Sequence, residues 1–272
     1  MTDLRSFLTG RSNAGLLSWQ AQEEAAAQYG LTLHEVEEAV LAEGIMPARY
    51  QRNSETIPVE GQYILCQSRV AVIGCGGLGG HILEQLARLG VGRLVVVDFD
   101  KFEEHNLNRQ LLASPENLGQ NKAAVAAERI KRINPAVETM IFKEAFGEQN
   151  GSDILQSADV AVDALDSIPA RRILARTCSR LAIPMVHGAI CGWYGQITTQ
   201  FPGDDTLDVL YRACAGEKGM EKVFGNPSFT PAVIAGLQVA EVCKILLGQG
   251  TCLRRKILYL NLLDMELEEL QL

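Results

Sequence analysis

The chain has 272 residues, of which 47% are hydrophobic and 21% charged, a composition typical of a folded globular protein. Its formal net charge of −8 disfavours broad binding to nucleic acid, because a polyanion would be repelled. No stretch reaches the roughly 20 uninterrupted apolar residues of a membrane helix, and the N-terminus lacks an apolar signal-peptide core. We therefore expect a cytoplasmic protein with one large domain and a small accessory segment.

Seven cysteines are scattered singly along the chain, and no two of them form a CxxC pair. An odd number without paired spacing matches neither a disulfide framework nor a zinc site. We expect most of these thiols to be reduced and to pack as small hydrophobic groups.

Two helical patterns precede the main domain, one from about Gln20 and one after Gly30. Thr32 is the expected N-cap of the second helix, because Glu35 lies three residues later as its capping-box partner. This helix is acidic, so we do not expect the pair to read DNA as a helix-turn-helix. Residues 1–48 are predicted to be a helical extension that packs against the domain formed by 49–272 or against a partner.

From Arg69 onward, apolar runs of strand length alternate with helical patterns. The runs RVAVIG and RLVVVDFD flank a helix whose apolar residues share one face, which is typical of a βαβ unit with buried strands. The alternation continues and predicts a doubly wound α/β sheet. Further elements are predicted as helices at 120–133, 168–181 and 230–247, strands at 137–142, 158–165, 183–190, 196–201 and 256–263, and a long irregular loop at 202–229.

A glycine-rich turn, GCGGLG, follows the first strand and opens the helix. Gly74, Gly76 and Gly79 satisfy GxGxxG in the context where glycines let backbone N–H groups approach phosphate at a helix N-terminus. Asp98 ends the second strand 19 residues after Gly79, where its carboxylate can accept hydrogen bonds from ribose hydroxyls. These residues predict a nucleotide site without specifying the nucleotide.

Residues just beyond the second strand favour ATP over a dinucleotide. Asn106, Arg109 and Gln110 follow the strand, and Lys122 lies thirteen residues after Arg109. Two cations so placed suit a triphosphate, because charge develops on the leaving group as it departs. An NAD-dependent dehydrogenase is the alternative, and NADH binding without ATP binding would favour it.

The motifs RVAVIGCGGLGG, VVVDFD, NLNRQ, INP and AVDALDS resemble the adenylating domain of the ThiF/MoeB/HesA family, bacterial relatives of ubiquitin-activating E1 enzymes. The resemblance spans roughly 49–263. It implies a Rossmann-like, mostly parallel sheet extended by antiparallel strands, and a homodimer as the active unit. It also implies that ATP with Mg²⁺ activates the Gly-Gly end of a ubiquitin-like sulfur-carrier protein of the molybdenum/tungsten-cofactor or thiamine type.

The resemblance assigns roles to residues at matching positions. Gly77 would belong to the nucleotide loop. The phosphate and transition-state ligands would be Asn106, Arg109 and Lys122. Asp166, in ALDS, would organise Mg²⁺, with Asp163 as the less favoured candidate. The expected nucleotide-binding set is Gly74, Gly76, Gly77, Gly79, Asp98, Asp100, Asn106, Arg109, Gln110 and Lys122.

Arg52, in RYQRN, matches the second arginine of the family's RYxRQ segment, which reaches the ATP phosphates of the other subunit. The resemblance therefore implies that Arg52 acts in trans, with Arg49 as the alternative. The family's zinc-binding cysteine pairs have no counterpart here, so we expect no zinc. The segment FGNPSFTPAV also has no cysteine, which leaves Cys214 as the candidate for a covalent intermediate with the carrier.

The implied reaction is attack of the carrier's C-terminal glycine carboxylate on the ATP α-phosphate, which releases pyrophosphate. Arg109, Lys122, Asp166 and Arg52 would catalyse it by positioning and charge neutralisation. We expect the loop 202–229 to clamp the extended carrier tail. Two alternatives besides the dehydrogenase stay open, which are activation of a small molecule or tRNA base by the same fold and a non-catalytic dimeric binding protein.

Overall fold

The computed structural model describes residues 2–212 and 224–272. Three helices lie within residues 2–42, and Thr32 and Glu35 form the predicted capping box of the third. The first of them has no predicted counterpart in the sequence patterns. It is held by packing of Leu8 in an apolar cluster with residues of the other two. These elements are α1 (Thr2–Arg11), β1 (Leu16–Leu17), α2 (Trp19–Tyr29), α3 (Leu33–Ala42) and β2 (Met46–Pro47).

An eight-stranded sheet forms the centre of the main domain, in the order β10-β9-β8-β7-β6-β3-β4-β5. The neighbours from β5 to β7 pair in parallel, and β8, β9 and β10 continue the sheet with antiparallel pairing. This confirms the predicted doubly wound sheet with an antiparallel extension. The strands are β3 (Arg69–Ile73), β4 (Arg93–Val97), β5 (Glu138–Phe142), β6 (Val160–Asp163), β7 (Met185–Cys191), β8 (Tyr194–Gln200), β9 (Lys256–Asn261) and β10 (Glu266–Gln271).

Helices cover both faces of this sheet, because alternate residues of its buried strands are apolar on each side. Val70 and Val72 of β3 belong to one core, while Ala71 and Ile73 belong to the other. The helices are α4 (Val59–Gln67), α5 (Gly77–Leu89), α6 (Lys122–Ile133), α7 (Gly151–Leu155), α8 (Ile168–Leu181), α9 (Thr206–Leu210) and α10 (Phe229–Leu247).

Three segments contain structure that the sequence patterns do not predict. The stretch between Arg52 and β3 includes helix α4, and the loop 202–229 includes α9. The acidic segment after residue 263 forms β10, which pairs with β9. All six residues of β10 are exposed. The strand therefore lacks the alternation that burial of one face imposes on a sequence.

Helix α10 is long and apolar enough, by length and composition, to cross a membrane. In this fold it packs against α5 and against β7 and β8. It also buries Gln238 and Glu241.

The crevice that positions the site opens where β3 and β6 lie side by side, because the chain leaves these neighbours in opposite directions. Gly74 follows β3 with φ +101°, a conformation that L side chains rarely adopt. A Cβ at this position would lie 2.6 Å from the Ala164 carbonyl oxygen. Glycine therefore lets the turn after β3 pass close to the loop after β6.

Candidate nucleotide-binding site

A cavity of about 460 Å³ lies at the carboxyl ends of β3, β4 and β6, where ligands bind in open α/β sheets. It brings together ten of the residues that the sequence predicts. These are Gly74, Gly76, Gly77, Asp98, Asp100, Asn106, Arg109, Gln110, Lys122 and Asp166. Phe99, exposed by 61%, also lines the cavity and adds an aromatic surface directly after Asp98.

The glycine loop presents the N-terminus of α5 to this cavity. Gly76 is the N-cap and makes no side-chain capping hydrogen bond, so the first-turn amides receive no side-chain acceptor from it. A Cβ at Gly76 would make an ordinary van der Waals contact with the Gln110 side chain at 3.7 Å. Backbone amides at a helix N-terminus, with their partial positive charge, form a suitable cradle for phosphate.

Gly79 has a packing role rather than the predicted ligand contact. It does not line the cavity, and a Cβ at this position would lie 1.8 Å from the carbonyl oxygen of Gly74. Its missing side chain lets α5 lie against the turn after β3. Gly79 therefore affects the nucleotide loop through close packing against Gly74.

Asp98 joins the glycine loop to the segment after β4, because each of its carboxylate oxygens accepts a backbone hydrogen bond from one of them. Cys75 N–H donates to its Oδ2 at 2.7 Å, and Asp100 N–H donates to its Oδ1 at 2.8 Å. Burial raises the pKa of Asp98, although these two hydrogen bonds act in the opposite direction. A carboxylate oxygen can accept more than one hydrogen bond, so the predicted ribose contact stays a prediction.

The two predicted cations face the same cavity. The Lys122 ammonium is buried and lies 3.1 Å from Asp100 Oδ2. Arg109 is partly buried, which lowers its pKa, and its Nη1 donates to the His105 carbonyl at 3.0 Å and to Asn108 Oδ1 at 2.9 Å. Two cations beside a phosphate cradle fit a triphosphate. A dehydrogenase holds the pyrophosphate of its dinucleotide through the glycine loop, and such a site does not need two further cations.

Two amide oxygens in the cavity wall lack a donor within the described residues. Gln110 Oε1 and Asn226 Oδ1 are both buried there without a hydrogen-bond partner. Buried acceptors are normally satisfied. Because both oxygens are closed off from solvent, a ligand could donate to them only after the side chains rotate.

Asp166 is exposed in the loop after β6 and lines the cavity beside Ser167. Among the described residues no three His, Cys, Asp or Glu side chains form a metal-binding cluster. Magnesium bound to ATP needs only one or two protein carboxylates, since water and phosphate oxygens complete its octahedron. The carboxylate of Asp166 therefore fits such an ion.

Four buried side chains behind the Asp166 loop form a hydrogen-bonded group that sequence analysis misses. Asp163 Oδ2 lies 2.7 Å from His187 Nδ1, and His187 Nε2 lies 3.1 Å from the Tyr211 hydroxyl, to which Arg171 Nη1 donates at 3.0 Å. Burial lowers the pKa of His187, which is therefore neutral at pH 7, and raises the pKa of Tyr211 to about 12. We call these four residues the Asp163 network.

No short sequence motif predicts the Asp163 network, because its members are far apart along the chain. Asp163 and His187 are register partners on neighbouring strands, and Tyr211 lies 24 residues beyond His187. The carboxylate of Asp163 is fully buried and outside the cavity wall, so the structure favours Asp166 as the metal ligand.

The site combines a glycine cradle, two cations and a carboxylate in the order along the chain that the resemblance requires, and the ThiF family pattern matches residues 50–272. The chain belongs to the ThiF family. The resemblance drawn from the motifs is thereby confirmed.

Curated relatives of this ThiF-family chain have adenylyltransferase or E1 in their names. The SAMP-activating enzyme E1 of Haloferax volcanii is 36% identical over 81% of this chain and 83% of its own. The sulfur carrier protein adenylyltransferase of Thermus thermophilus is 35% identical over 78% of this chain and 81% of its own. The probable molybdopterin-synthase adenylyltransferase of Porphyra purpurea is 31% identical over 79% of this chain and 58% of its own.

Solved structures share the fold at lower identity. PaaA has a TM-score of 0.71 at 22% identity, over 82% of each chain. MccB from E. coli, crystallised with ATP, has a TM-score of 0.65 at 20% identity, over 92% of this chain and 82% of its own. These likenesses bear on the fold alone.

Arg52 is exposed and lies outside the cavity wall of its own chain. Arg49 instead hydrogen-bonds the side chain of Asn134 and stacks over Trp19 at 4.4 Å. These contacts engage Arg49 within the fold, so Arg52 stays the candidate for a contact with another subunit. Cys214 lies outside the described residues, as does the middle of the predicted clamp.

Proposed function

We propose that this chain adenylates the C-terminal glycine carboxylate of a ubiquitin-like sulfur-carrier protein that ends in Gly-Gly, using ATP and releasing pyrophosphate. The observation that carries the proposal is the single cavity that joins the α5 N-terminus with Arg109, Lys122 and Asp166. The names of the relatives support an adenylyltransferase and the carrier as its partner.

In the proposed reaction, a carboxylate oxygen of the carrier attacks the α-phosphorus, and the bond to the bridging oxygen of the leaving pyrophosphate breaks. A carboxylate is already a nucleophile, so no general base is required. Arg109 and Lys122 neutralise the charge that develops on the phosphate oxygens. Bound Mg²⁺ would supply further positive charge to the phosphates, with Asp166 as its protein ligand.

The nucleoside would lie against the end of β4. Phe99 offers an exposed ring for stacking with adenine, and base stacking on aromatic side chains is worth about 1–3 kcal/mol. Gln110 and Asn226 line the same cavity with polar side chains. Asp98 would receive the ribose hydroxyls beside the glycine loop that it holds.

Three finer points belong to the same proposal. The active unit is a homodimer in which Arg52 reaches the phosphates of the other subunit. The carrier is of the pterin-cofactor type, which the name of the Porphyra relative favours over a thiamine carrier. The enzyme acts in the cytoplasm, where ATP is available and thiols stay reduced.

Exchange of radiolabelled pyrophosphate into ATP tests the proposal, with a panel of purified pterin-type and thiamine-type carriers. We expect exchange with a pterin-type carrier and none with the same carrier lacking its terminal glycine. Exchange that needs no protein carrier but responds to a small acid or a tRNA would instead support the alternative branch of the fold. Binding of NADH without ATP would support a dehydrogenase.

A further inference from the structure

Both backbone polar groups of Leu165, the residue before Asp166, are held by the Asp163 network. Leu165 N–H donates to Asp163 Oδ1 at 2.9 Å. Its carbonyl accepts from Arg171 Nε at 3.2 Å and from Arg171 Nη2 at 2.8 Å. A residue held at its N–H and its C=O has little freedom to rotate, so the side chain that follows starts from a fixed backbone position.

The hydrogen bonds of the Asp163 network run in one direction. Arg171 donates to Tyr211, the Tyr211 hydroxyl can donate to Nε2 of the neutral His187, and His187 Nδ1–H can donate to Asp163. Bonds arranged in this way polarise one another in a low-dielectric interior. An ion pair closes this series of hydrogen bonds into a ring, because Arg171 Nε lies 3.8 Å from Asp163 Oδ2.

Packing alone gives no reason for these side chains. Asp163 and His187 are fully buried, and Arg171 and Tyr211 are each exposed by 6%. Removing such charged and polar groups from water carries a desolvation cost that apolar residues of similar volume would avoid. The role of the network must therefore lie in the groups that it binds. These are the backbone N–H and C=O of Leu165, in the loop that carries Asp166.

We propose that the Asp163 network positions Asp166 for metal binding. Of the four residues only Arg171 lines the cavity, so Asp163, His187 and Tyr211 act through Leu165 rather than by touching ATP. The inference rests on the proposed function, in which Asp166 is the protein ligand of Mg²⁺. Groups that orient a metal ligand typically affect metal affinity by about 10–100-fold when they are removed.

The Tyr211→Phe variant tests this proposal, because it deletes only the hydroxyl that joins Arg171 to His187. The matched control is Thr199→Val, which deletes another fully buried hydroxyl, one that donates to Glu241 at 2.6 Å. The first measurement is the Mg²⁺ concentration that gives half-maximal carrier-dependent pyrophosphate exchange. We expect Tyr211→Phe to raise it about tenfold, with near-normal kcat at saturating Mg²⁺, and Thr199→Val to leave it unchanged.

A second measurement does not depend on activity. Hydrogen exchange of the peptide that contains residues 164–168 should become faster in Tyr211→Phe than in Thr199→Val. The inference would be overturned if Tyr211→Phe left both the Mg²⁺ requirement and the hydrogen exchange of this peptide unchanged. It would also be overturned if Tyr211→Phe and Thr199→Val changed these two quantities equally. If the wild-type protein catalysed no ATP–pyrophosphate exchange with any carrier, the proposed function would be refuted instead. The hydrogen-exchange comparison would still decide whether the network holds the loop.

Discussion

Asn108 shows how a residue beside the predicted reacting groups sets the direction of an arginine. Its Oδ1 accepts from Arg109 at 2.9 Å, and its Nδ2 donates to the Asn226 carbonyl at 3.2 Å. One amide thus ties the guanidinium to the segment that leads into α10. The other partner of Arg109 is the His105 carbonyl, so the partners described for this arginine are neutral and leave its charge available to phosphate.

Replacing Asn108 by alanine should lower kcat of the carrier-dependent reaction by about ten- to a hundredfold, because a displaced catalytic group loses its alignment. The KM for ATP should change little, since the glycine loop and Lys122 are untouched. Steady-state kinetics at varied ATP provide the check. Asn261→Ala is the control, because it removes an amide at the end of β9, outside the cavity, that accepts from Leu263 N–H. A normal kcat in Asn108→Ala would show that Arg109 is oriented by other groups.

At the scale of elements, sequence patterns predict the parts of the fold that burial makes periodic. Strands β3 and β4 and helices α5, α6 and α8 follow from apolar runs, caps and glycines. Helix α1 and strand β10 do not, because the first depends on tertiary packing and the second has no buried face. The same limit applies to the site. The cradle and its cations come from local motifs, whereas His187 meets Asp163 only through strand register.

The junction of β3 and α5 gives a prediction about packing. Gly79→Ala places a Cβ 1.8 Å from the Gly74 backbone oxygen, which no side-chain rotation can relieve. Shifting α5 should lower the free energy of unfolding by about 1–3 kcal/mol and weaken ATP binding. Gly236→Ala in α10 is the matched control, because its Cβ would meet only Gln85 Oε1 at 3.8 Å, and it should be neutral or stabilising. Thermal melts and ATP titration of both variants would measure the difference, and equal behaviour would disprove tight packing here.

At the scale of the whole molecule, the site in one chain lacks the predicted contribution of Arg52. This side chain is exposed and does not line its own chain's cavity, which suits a residue that completes a site on a second copy. The stretch that carries it follows the short 3₁₀ helix Ala48–Tyr50, where Tyr50 is anchored to Glu37 at 2.7 Å. The N-terminal helices and the arginine segment are thus joined through a buried hydrogen bond.

Complementation between two inactive variants can detect an arginine supplied in trans. Arg52→Ala and Asp166→Ala should each be inactive alone, whereas co-expression should restore about one quarter of wild-type activity, because half of randomly formed dimers contain one intact site out of two. The assay is pyrophosphate exchange on the purified mixture. If the mixture stays inactive although mass spectrometry detects mixed dimers, Arg52 does not act in trans.

The central claim is that Arg109, Lys122 and Asp166 act together on one triphosphate. The most direct test compares carrier-dependent ATP–pyrophosphate exchange by the wild type, Arg109→Ala and Asp166→Ala. Arg129→Ala is the surface control, since Arg129 pairs with Glu84 on the outside of the domain. We predict a loss of about a hundredfold or more in both site variants, with unchanged circular dichroism, and normal exchange in the control. Near-normal exchange in either site variant would contradict the account.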